Sequence, residues 1–358
     1  MTETLSNWSN IVIYIAIAVY SVAFLLFTLD FAGRGSREAK AAQQSSALGA
    51  TARVRERELV GAGAPAAEAA DADAAGAGIS VARAAEGGSG AGVSSAAATE
   101  TRWRDRSSTK LLPIAMAVTV VGWVLHLAAT VLRGVAAERV PWANMYEFWL
   151  TATLLIVLVF LLLQLWQDLR FLGAFITGFA TLSLGIATIG FYVGVVPLQP
   201  ALQSIWLVIH VFVASVSTGF LALGCALSVL QLLQQRREAR VRAGESVRGP
   251  LGMLPSSERL EDMSFRMNVI GFILWTFTLV AGAVWAERAW GRYWGWDTKE
   301  VWTFIIWVVY AGYLHARTTK GWRGSPSAWL SIVGFATVLF NFGVVNVFFK
   351  GLHAYSGL

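Results

Sequence analysis

The residues most suited to binding a metal or a flat ligand in this sequence are four histidines and a dense run of tryptophans. Each histidine lies within or beside a long apolar segment: His126, His210, His315 and His353. A neutral imidazole is a common metal ligand, and an ionisable residue in an apolar segment is costly enough to suggest a function. The tryptophans crowd into WGRYWGWDTKEVW, residues 290–302, between two apolar segments. This run is either an ordinary interfacial belt or a platform for a flat ligand.

Length and composition indicate which elements must position these side chains. Of the 358 residues, 56% are hydrophobic and 14% are charged, which is typical of a polytopic membrane protein and not of a soluble domain. The sequence predicts an all-α, polytopic helical membrane protein with about eight transmembrane helices, each long enough to cross about 30 Å of hydrocarbon. The predicted spans are approximately 10–30, 111–133, 147–167, 171–191, 204–233, 266–287, 301–317 and 327–349.

A stretch rich in Ala, Gly and Ser separates the first predicted helix, within residues 1–32, from a larger membrane domain at residues 111–358. Residues 33–109 contain almost no aromatic side chains, so they bury too little apolar surface to offset the entropy of ordering. We expect a disordered cytoplasmic linker there. The single cysteine, Cys225, lies in an apolar segment and supports neither a disulfide framework nor a dithiol relay.

The distribution of basic residues predicts the orientation of the chain. Arginine and lysine gather in the linker and after the fifth and seventh apolar segments, which the positive-inside rule places in the cytoplasm. Eight crossings then put both termini and the tryptophan run on the extracytoplasmic side. The net charge of +6 therefore reports orientation in a lipid bilayer, and we expect no nucleic acid partner.

Two histidines fall at the same predicted depth as the tryptophan run. His210 lies near the outer end of the fifth segment, and His353 lies just past the last one. Two neutral imidazoles that face each other across a flat apolar pocket are what a bis-histidine haem site needs. The sequence therefore predicts that His210 and His353 bind one haem iron.

The tryptophan run fits the same prediction. Trp290, Trp294 and Trp296 offer rigid amphipathic surface for a porphyrin, and the interleaved glycines leave room for a ring to approach. Arg292 could pair with a propionate. Taken singly, Trp285, Trp290 and Trp302 are typical of membrane-interface anchors, but the interleaving of tryptophan and glycine within the run favours a platform.

Asp297 and the other two histidines have different explanations. DTKE matches a capping box, and we favour this structural role for Asp297 over direct chemistry. His315 lies near the inner end of the seventh segment, whereas His126 lies in the outer half of the second. These two histidines match poorly as ligands of one haem unless a helix is tilted or broken. Otherwise the partner of His315 comes from another subunit.

Several segments together resemble a known family. WGRYWGWD fits the WGxxWxWD signature of the haem-handling WWD-domain membrane proteins, and LQSIWLVIH, GLHAY and PWANMYEFW resemble its CcsA/ResC branch. The resemblance covers roughly residues 111–358, with the WWD loop at 287–303. One departure is GLHAY, where a serine is expected after the histidine.

The resemblance implies a multi-pass plasma-membrane protein that serves as the haem-handling subunit of a system II cytochrome c synthase. It implies that haem b is presented outside the cytoplasm and attached through thioethers to the CxxCH of apocytochrome c, with a ResB-like membrane subunit as partner. The implied iron ligands are His210, His353 and, for a second haem within the membrane, His315. The candidate cofactor-binding residues are His210, His353, Trp290, Trp294, Trp296, Asp297, Arg292, His315 and, weakly, His126.

Other functions remain as alternatives. A haem exporter or chaperone without synthase activity would use the same residues. Paired histidines on one helix, repeated on a second helix, would favour a b-type redox cytochrome. Broken helices with charged residues at midplane depth would favour a transporter of another substrate. The sequence shows neither pattern, and it contains no CxxCH of its own. Whether this subunit suffices for the covalent step stays open.

Overall fold

The computed structural model describes residues 2–61, 110–198, 200–245, 247, 249–349 and 351–353, and these residues form an all-α bundle without strands. The long helices are α1 (Thr2–Gly61), α2 (Leu111–Ala137), α3 (Met145–Leu163), α4 (Gly173–Gly190), α5 (Ile205–Arg242), α6 (Ser257–Trp290), α7 (Thr298–Thr318) and α8 (Ser325–Leu339). A π-helical turn, Phe340–Val345, joins α8 to the short α9 (Asn346–Phe348). Short 3-10 turns occupy Arg170–Leu172, Pro200–Leu202 and Pro250–Met253.

Within the described residues, seven helices are long and apolar enough to cross a membrane, with α1 counted to Gly33. The predicted seventh span corresponds to α7, which is not among these seven and has charged residues in its first and last turns. Its last turn nevertheless reaches the start of α6, where Arg317 Nε lies 3.0 Å from Glu261 Oε1. The side chain of its N-cap, Asp297, accepts a hydrogen bond from the backbone N–H of Leu352. The prediction of an all-α polytopic membrane protein is confirmed.

The first helix is longer than the sequence predicted. The predicted boundary lay at residue 32, with a disordered linker at 33–109, but α1 continues to Gly61. Residues 34–61 are rich in Ala, Glu, Arg and Gln, which favour helix even where no apolar core is available. Residues 62–109 of the predicted linker lie outside the described residues.

Small residues and buried hydroxyl groups join the helices of the bundle. Ser217 Oγ of α5 donates to the carbonyl oxygen of Gly271 in α6 over 2.7 Å, and Ser264 Oγ of α6 donates to Gly224 O over 2.8 Å. Gly224 must lack a side chain because a Cβ atom there would overlap Asn268. Such close contacts are typical of membrane helices, which pack through small residues and interhelical hydrogen bonds.

Helix α3 is the central helix of the bundle. Within its most apolar window 72% of the residues are buried, compared with 28–44% in the other six candidate spans. Helices α2, α4 and α5 pack directly against it, and α6, α7 and α8 complete the far side of a space that lies near the end of α6 and the start of α7. This arrangement positions the site.

Candidate functional site

A cavity that is partly open to solvent lies between α3, α5, α6, α7, α8 and residues 351–353. Its walls are largely aromatic and aliphatic, and they include Trp142, Phe148, Trp275 and Phe342. His210 of α5 and His353, which follows α9, both line the cavity. The structure therefore brings the two predicted histidines into one cavity.

His210 projects from the second turn of α5. Its Nδ1 atom lies 2.9 Å from the carbonyl oxygen of Thr278 in α6. Because a carbonyl oxygen can only accept, this contact places the proton on Nδ1. The imidazole ring stacks on Trp285, with a centroid separation of 6.1 Å and an interplanar angle of 17°. The ring is thus fixed on two sides by α6.

His353 reaches the cavity from the short segment that follows α9. Its Nδ1 atom lies 2.7 Å from Asp297 Oδ2. Its ring packs edge-on against Trp285 and Trp290, with centroid separations of 5.4 and 4.9 Å. Trp285 therefore contacts both histidines, and Trp290 contacts the second.

The two imidazole rings have the same hydrogen-bonding pattern. In each, Nδ1 donates to an oxygen, and neither Nε2 atom has a hydrogen-bond partner within the described residues. Metal-binding histidines usually donate the second ring N–H to a carbonyl or a carboxylate, which fixes the tautomer and the ring orientation. Both Nε2 lone pairs are therefore available to a metal ion.

Asp297 has two roles. It caps α7 in a capping box with Glu300, as the sequence predicted. Its carboxylate also accepts the Nδ1 proton of His353 and the backbone N–H of Leu352, the latter over 3.1 Å. The hydrogen bond from His353 holds the pKa of Asp297 below its ordinary value. The second role links residues 56 positions apart, which no local sequence pattern indicates.

Lys299 was not predicted as a site residue, and Trp285 was interpreted as an interfacial anchor. Lys299 lines the cavity, and its Nζ donates to Asn341 O over 2.8 Å and to Asn346 Oδ1 over 2.6 Å. The carbonyl of Asn341 belongs to the π-helical turn, where α-helical pairing is interrupted. Trp285 is 2% exposed and contacts both site histidines, so it is not a belt residue.

The predicted aromatic platform is divided in the structure. Trp294 lines a side pocket together with His210, His353 and Trp285. Trp296, by contrast, is 78% exposed and has a left-handed φ of 59°. Arg292 is also exposed, and its guanidinium lies over Gly295. Neither Trp296 nor Arg292 is among the residues that line the cavity.

The other two histidines lie elsewhere. His126 is fully buried, with Nε2 2.9 Å from Leu150 O and Nδ1 3.5 Å from Tyr20 Oη, so both ring nitrogens are engaged within the bundle. His315 is exposed on the last turns of α7, and neither histidine lines the cavity. The structure therefore gives His126 a structural environment and leaves His315 facing away from the core.

The sequence that forms this cavity matches a known family. The family model described as cytochrome C assembly protein matches residues 142–353, which is more than half of the chain and includes every residue that lines the cavity. The chain belongs to the cytochrome c assembly protein family.

Relatives within this family indicate the branch. The cytochrome c biogenesis protein CcsA of Porphyra purpurea is 34% identical over 288 residues, covering 70% of this chain and 86% of that protein. The CcsA protein of Guillardia theta is 36% identical over 244 residues, covering 63% and 80%. These matches confirm the resemblance to the CcsA branch.

A solved structure supports the fold. The structure titled cytochrome c heme lyase CcmF aligns with 99% of this chain at a TM-score of 0.56 and 15% identity. This chain spans about half of that protein, 50% of its length. At this identity the similarity concerns the helical architecture alone.

Membership of this family implies haem handling, and the cavity residues are compatible with haem as the cargo. The cavity is formed by α3, α5, α6, α7 and α8. Its walls are mainly apolar, and two oriented imidazoles offer free Nε2 atoms to it. Apolar walls suit the porphyrin faces, and paired imidazoles suit the iron.

Proposed function

We propose that this protein is the haem-handling membrane subunit of a system II cytochrome c synthase. In this proposal it binds haem b between His210 and His353 and presents it on the extracytoplasmic side of the plasma membrane. An apocytochrome c then receives the haem at its CxxCH motif. The observation that supports this most directly is that the two histidines share one cavity, each with Nδ1 anchored and Nε2 free.

The residues of this chain would act by positioning. Thr278 and Asp297 fix the orientation of His210 and His353, and Trp285 packs against both rings. A haem held by both imidazoles keeps its vinyl groups in place while the apocytochrome approaches, which favours reaction by proximity. Each cysteine thiol then adds across one vinyl double bond. A C–S bond forms and the thiol hydrogen goes to the neighbouring carbon, so the addition itself is redox-neutral.

Release of the product would follow from exchange of a ligand. The histidine of CxxCH can replace one of the two imidazoles on the iron. His353 is the better candidate for replacement because it lies in a short segment after α9, whereas His210 lies within a long helix. The bond to Asp297 would then hold the displaced imidazole close to the site.

A partner subunit is part of the proposal. His315 is exposed on α7, and among the described residues no second histidine accompanies it in a pocket. A second haem, within the membrane, would therefore need its other ligand from another chain. A ResB-like membrane subunit is the partner that the resemblance implies.

The iron ligands can be tested by spectroscopy on the purified protein in detergent. The wild type should show the low-spin spectrum of bis-histidine haem, and His210→Ala or His353→Ala should abolish it at this site. Added imidazole should restore it, since it can occupy the space left by the missing ring. His315→Ala is the matched control and should retain the outer haem. Wild-type protein that binds no haem, or alanine variants with unchanged spectra, would refute the proposal.

A second measurement separates a synthase subunit from a haem exporter or chaperone. Cells that co-express this protein, a ResB-like subunit and a reporter apocytochrome c should form covalent haem on the reporter. The covalent product should disappear with His210→Ala and His353→Ala. Normal haem binding without any covalent product in this complete system would favour the chaperone.

A further inference from the structure

One corner of the cavity contains two buried hydrogen-bond donors, from Asn144 and Trp142, without acceptors in the described part of the chain. Asn144, the N-cap of α3, is 3% exposed and lines the cavity. Its Oδ1 accepts from the backbone N–H of Glu147 over 2.9 Å, and this contact identifies Nδ2 as the remaining atom. Within the described residues that Nδ2 has no partner, and neither has the buried Nε1 of Trp142 in the same wall. Unpaired buried donors are costly, so an acceptor is expected there.

The side chain of Lys299 lies beside this corner, and its burial lowers its pKa to about 7, so a bound anion would favour its charged form. Lys299 Nζ is 2.6 Å from Asn346 Oδ1, and Asn346 Nδ2 is 3.6 Å from Met145 Sδ at the start of α3. Both acceptors of the ammonium group, Asn346 Oδ1 and Asn341 O, are neutral. In the described part of the chain no carboxylate forms an ion pair with Lys299. Asp297, two residues earlier, is engaged by His353 and Leu352.

The nearby carboxylate does not cancel this charge. Glu147, in the first turn of α3, is buried and held by Arg133 over 3.1 Å and by Arg139 over 2.7 Å. The N-terminus of α3, a helix of 19 residues, adds partial positive charge on the same side. The corner formed by Trp142, Asn144 and Lys299 is therefore suited to an anion.

We propose that this corner binds a carboxylate of the haem, one of its propionates, through Asn144 and Lys299. The inference rests on the proposed function, since it requires haem in the cavity. Two axial imidazoles fix the iron but leave the porphyrin free to rotate about the axis that joins them. A carboxylate anchor removes that freedom. Because the vinyl groups lie on the opposite half of the ring from the propionates, the anchor also directs the vinyl groups away from α3.

The test varies the ligand and the corner together. Ferric protoporphyrin IX, its dimethyl ester and metal-free protoporphyrin IX are titrated into the purified full-length protein. The wild type should bind the free acid more tightly than the ester. Asn144→Asp preserves the N-cap but replaces the donor by a carboxylate, and Lys299→Gln removes the charge. Asn144→Asp should weaken binding of the free acid about tenfold or more while leaving the ester almost unaffected. Lys299→Gln should weaken binding of the acid more than binding of the ester, because Lys299 also holds the turn that leads to His353.

Metal-free protoporphyrin separates the anchor from the iron ligands. Its binding should weaken in Asn144→Asp and Lys299→Gln but should change little in His210→Ala and His353→Ala. Asn10→Asp is the matched control, because it is the same substitution at a residue that does not line the cavity. If Asn144→Asp fails to fold, Lys299→Gln alone gives the result.

The outcomes are distinct. An unchanged preference for acid over ester in both corner variants would overturn the propionate site while leaving haem binding intact. Equal binding of acid and ester by the wild type would do the same. A wild type that binds none of the three porphyrins would refute the proposed function itself.

Discussion

At the scale of single residues, the pair formed by Asp297 and His353 is the most informative contact in the structure. One carboxylate caps α7, accepts the Leu352 amide and orients the His353 ring. Gly351 allows this close approach, since a Cβ atom there would overlap Asp297 Oδ1. Asp297 of the WWD segment thus orients His353, which is one of the two iron ligands in the proposed haem site.

This arrangement predicts the effect of Asp297→Asn. Asparagine caps a helix about as well as aspartate, so the fold should be retained. The neutral amide is a weaker acceptor for the His353 proton, and haem affinity should fall about 10- to 100-fold, as for other partners of metal-binding histidines. Haem titration of the purified variant measures this. Affinity equal to the wild type would show that Asp297 serves only as a cap.

A second residue-scale feature is the buried cluster around Glu147. Its carboxylate pairs with Arg133 and Arg139, and all three residues have side chains that are at most 9% exposed. The cluster holds the loop between α2 and α3, from which Trp142 and Asn144 enter the cavity wall.

Glu147→Gln should therefore destabilise the protein substantially. Breaking a buried ion pair while leaving the opposite charge typically costs about 3–5 kcal/mol. Two guanidinium groups would lose their counter-charge here. Thermal unfolding in detergent measures the loss. Glu238→Gln is the control, because within the described residues the Glu238 carboxylate accepts hydrogen bonds from Ser257 and forms no ion pair. Equal stability of the two variants would contradict this view.

At the scale of elements, the π-helical turn Phe340–Val345 leads to the segment 351–353, which contains His353. It inserts extra backbone between α8 and α9, and Lys299 of α7 binds its Asn341 carbonyl and the following Asn346. The turn therefore sets the rotation of the segment that leads to His353. Single π turns within helices are frequent at functional sites.

Deletion of Gly343 tests this element. Removing one residue lets the turn close into α-helix, so the Asn341 carbonyl is paired within the helix and no longer accepts from Lys299. We expect near-normal helicity by circular dichroism but loss of the His353 contribution to haem binding. Gly343→Ala is the control, since no atom lies within 4 Å of a Cβ added there. Full haem binding by the deletion variant would exclude this role for the turn.

At the scale of the whole molecule, the N-terminal helix belongs to the bundle although residues 62–109 separate it from α2 in sequence. Ser9 Oγ of α1 donates to Ala129 O of α2 over 2.8 Å, and Tyr20 packs edge-on against His126. Gly122 of α2 lies against the Tyr20 ring, where an added Cβ would be 3.1 Å away. The two helices therefore form one tightly packed unit.

Gly122→Leu should loosen that unit. A leucine would collide with the Tyr20 ring, and overpacking of this kind costs about 1–3 kcal/mol. Limited proteolysis and thermal unfolding should show a less stable α1, while haem binding at the distant cavity should change little. Gly185→Leu is the control, because nothing lies within 4 Å of its added Cβ. Identical behaviour of the two variants would argue against tight packing of α1.

Features that depend on local physics could be predicted from the amino-acid sequence. Hydropathy marked the seven helices in the described part of the chain that are apolar enough to cross a membrane, because burial in hydrocarbon depends on each segment separately. DTKE predicted the capping box, because a cap involves neighbours in sequence. The two cavity histidines were predicted because both lie at the predicted depth of the tryptophan run.

Which side chains come into contact depends on how the helices pack. The tertiary structure placed Trp296 and Arg292 outside the cavity, gave His126 two partners, and brought Lys299 and Asn144 to one corner. The contact between Asp297 and His353 spans 56 positions, and that between Met145 and Asn346 spans 201. Such contacts depend on how whole helices pack, and the rotation of each helix is set by all its neighbours together. No pattern within one segment contains that information.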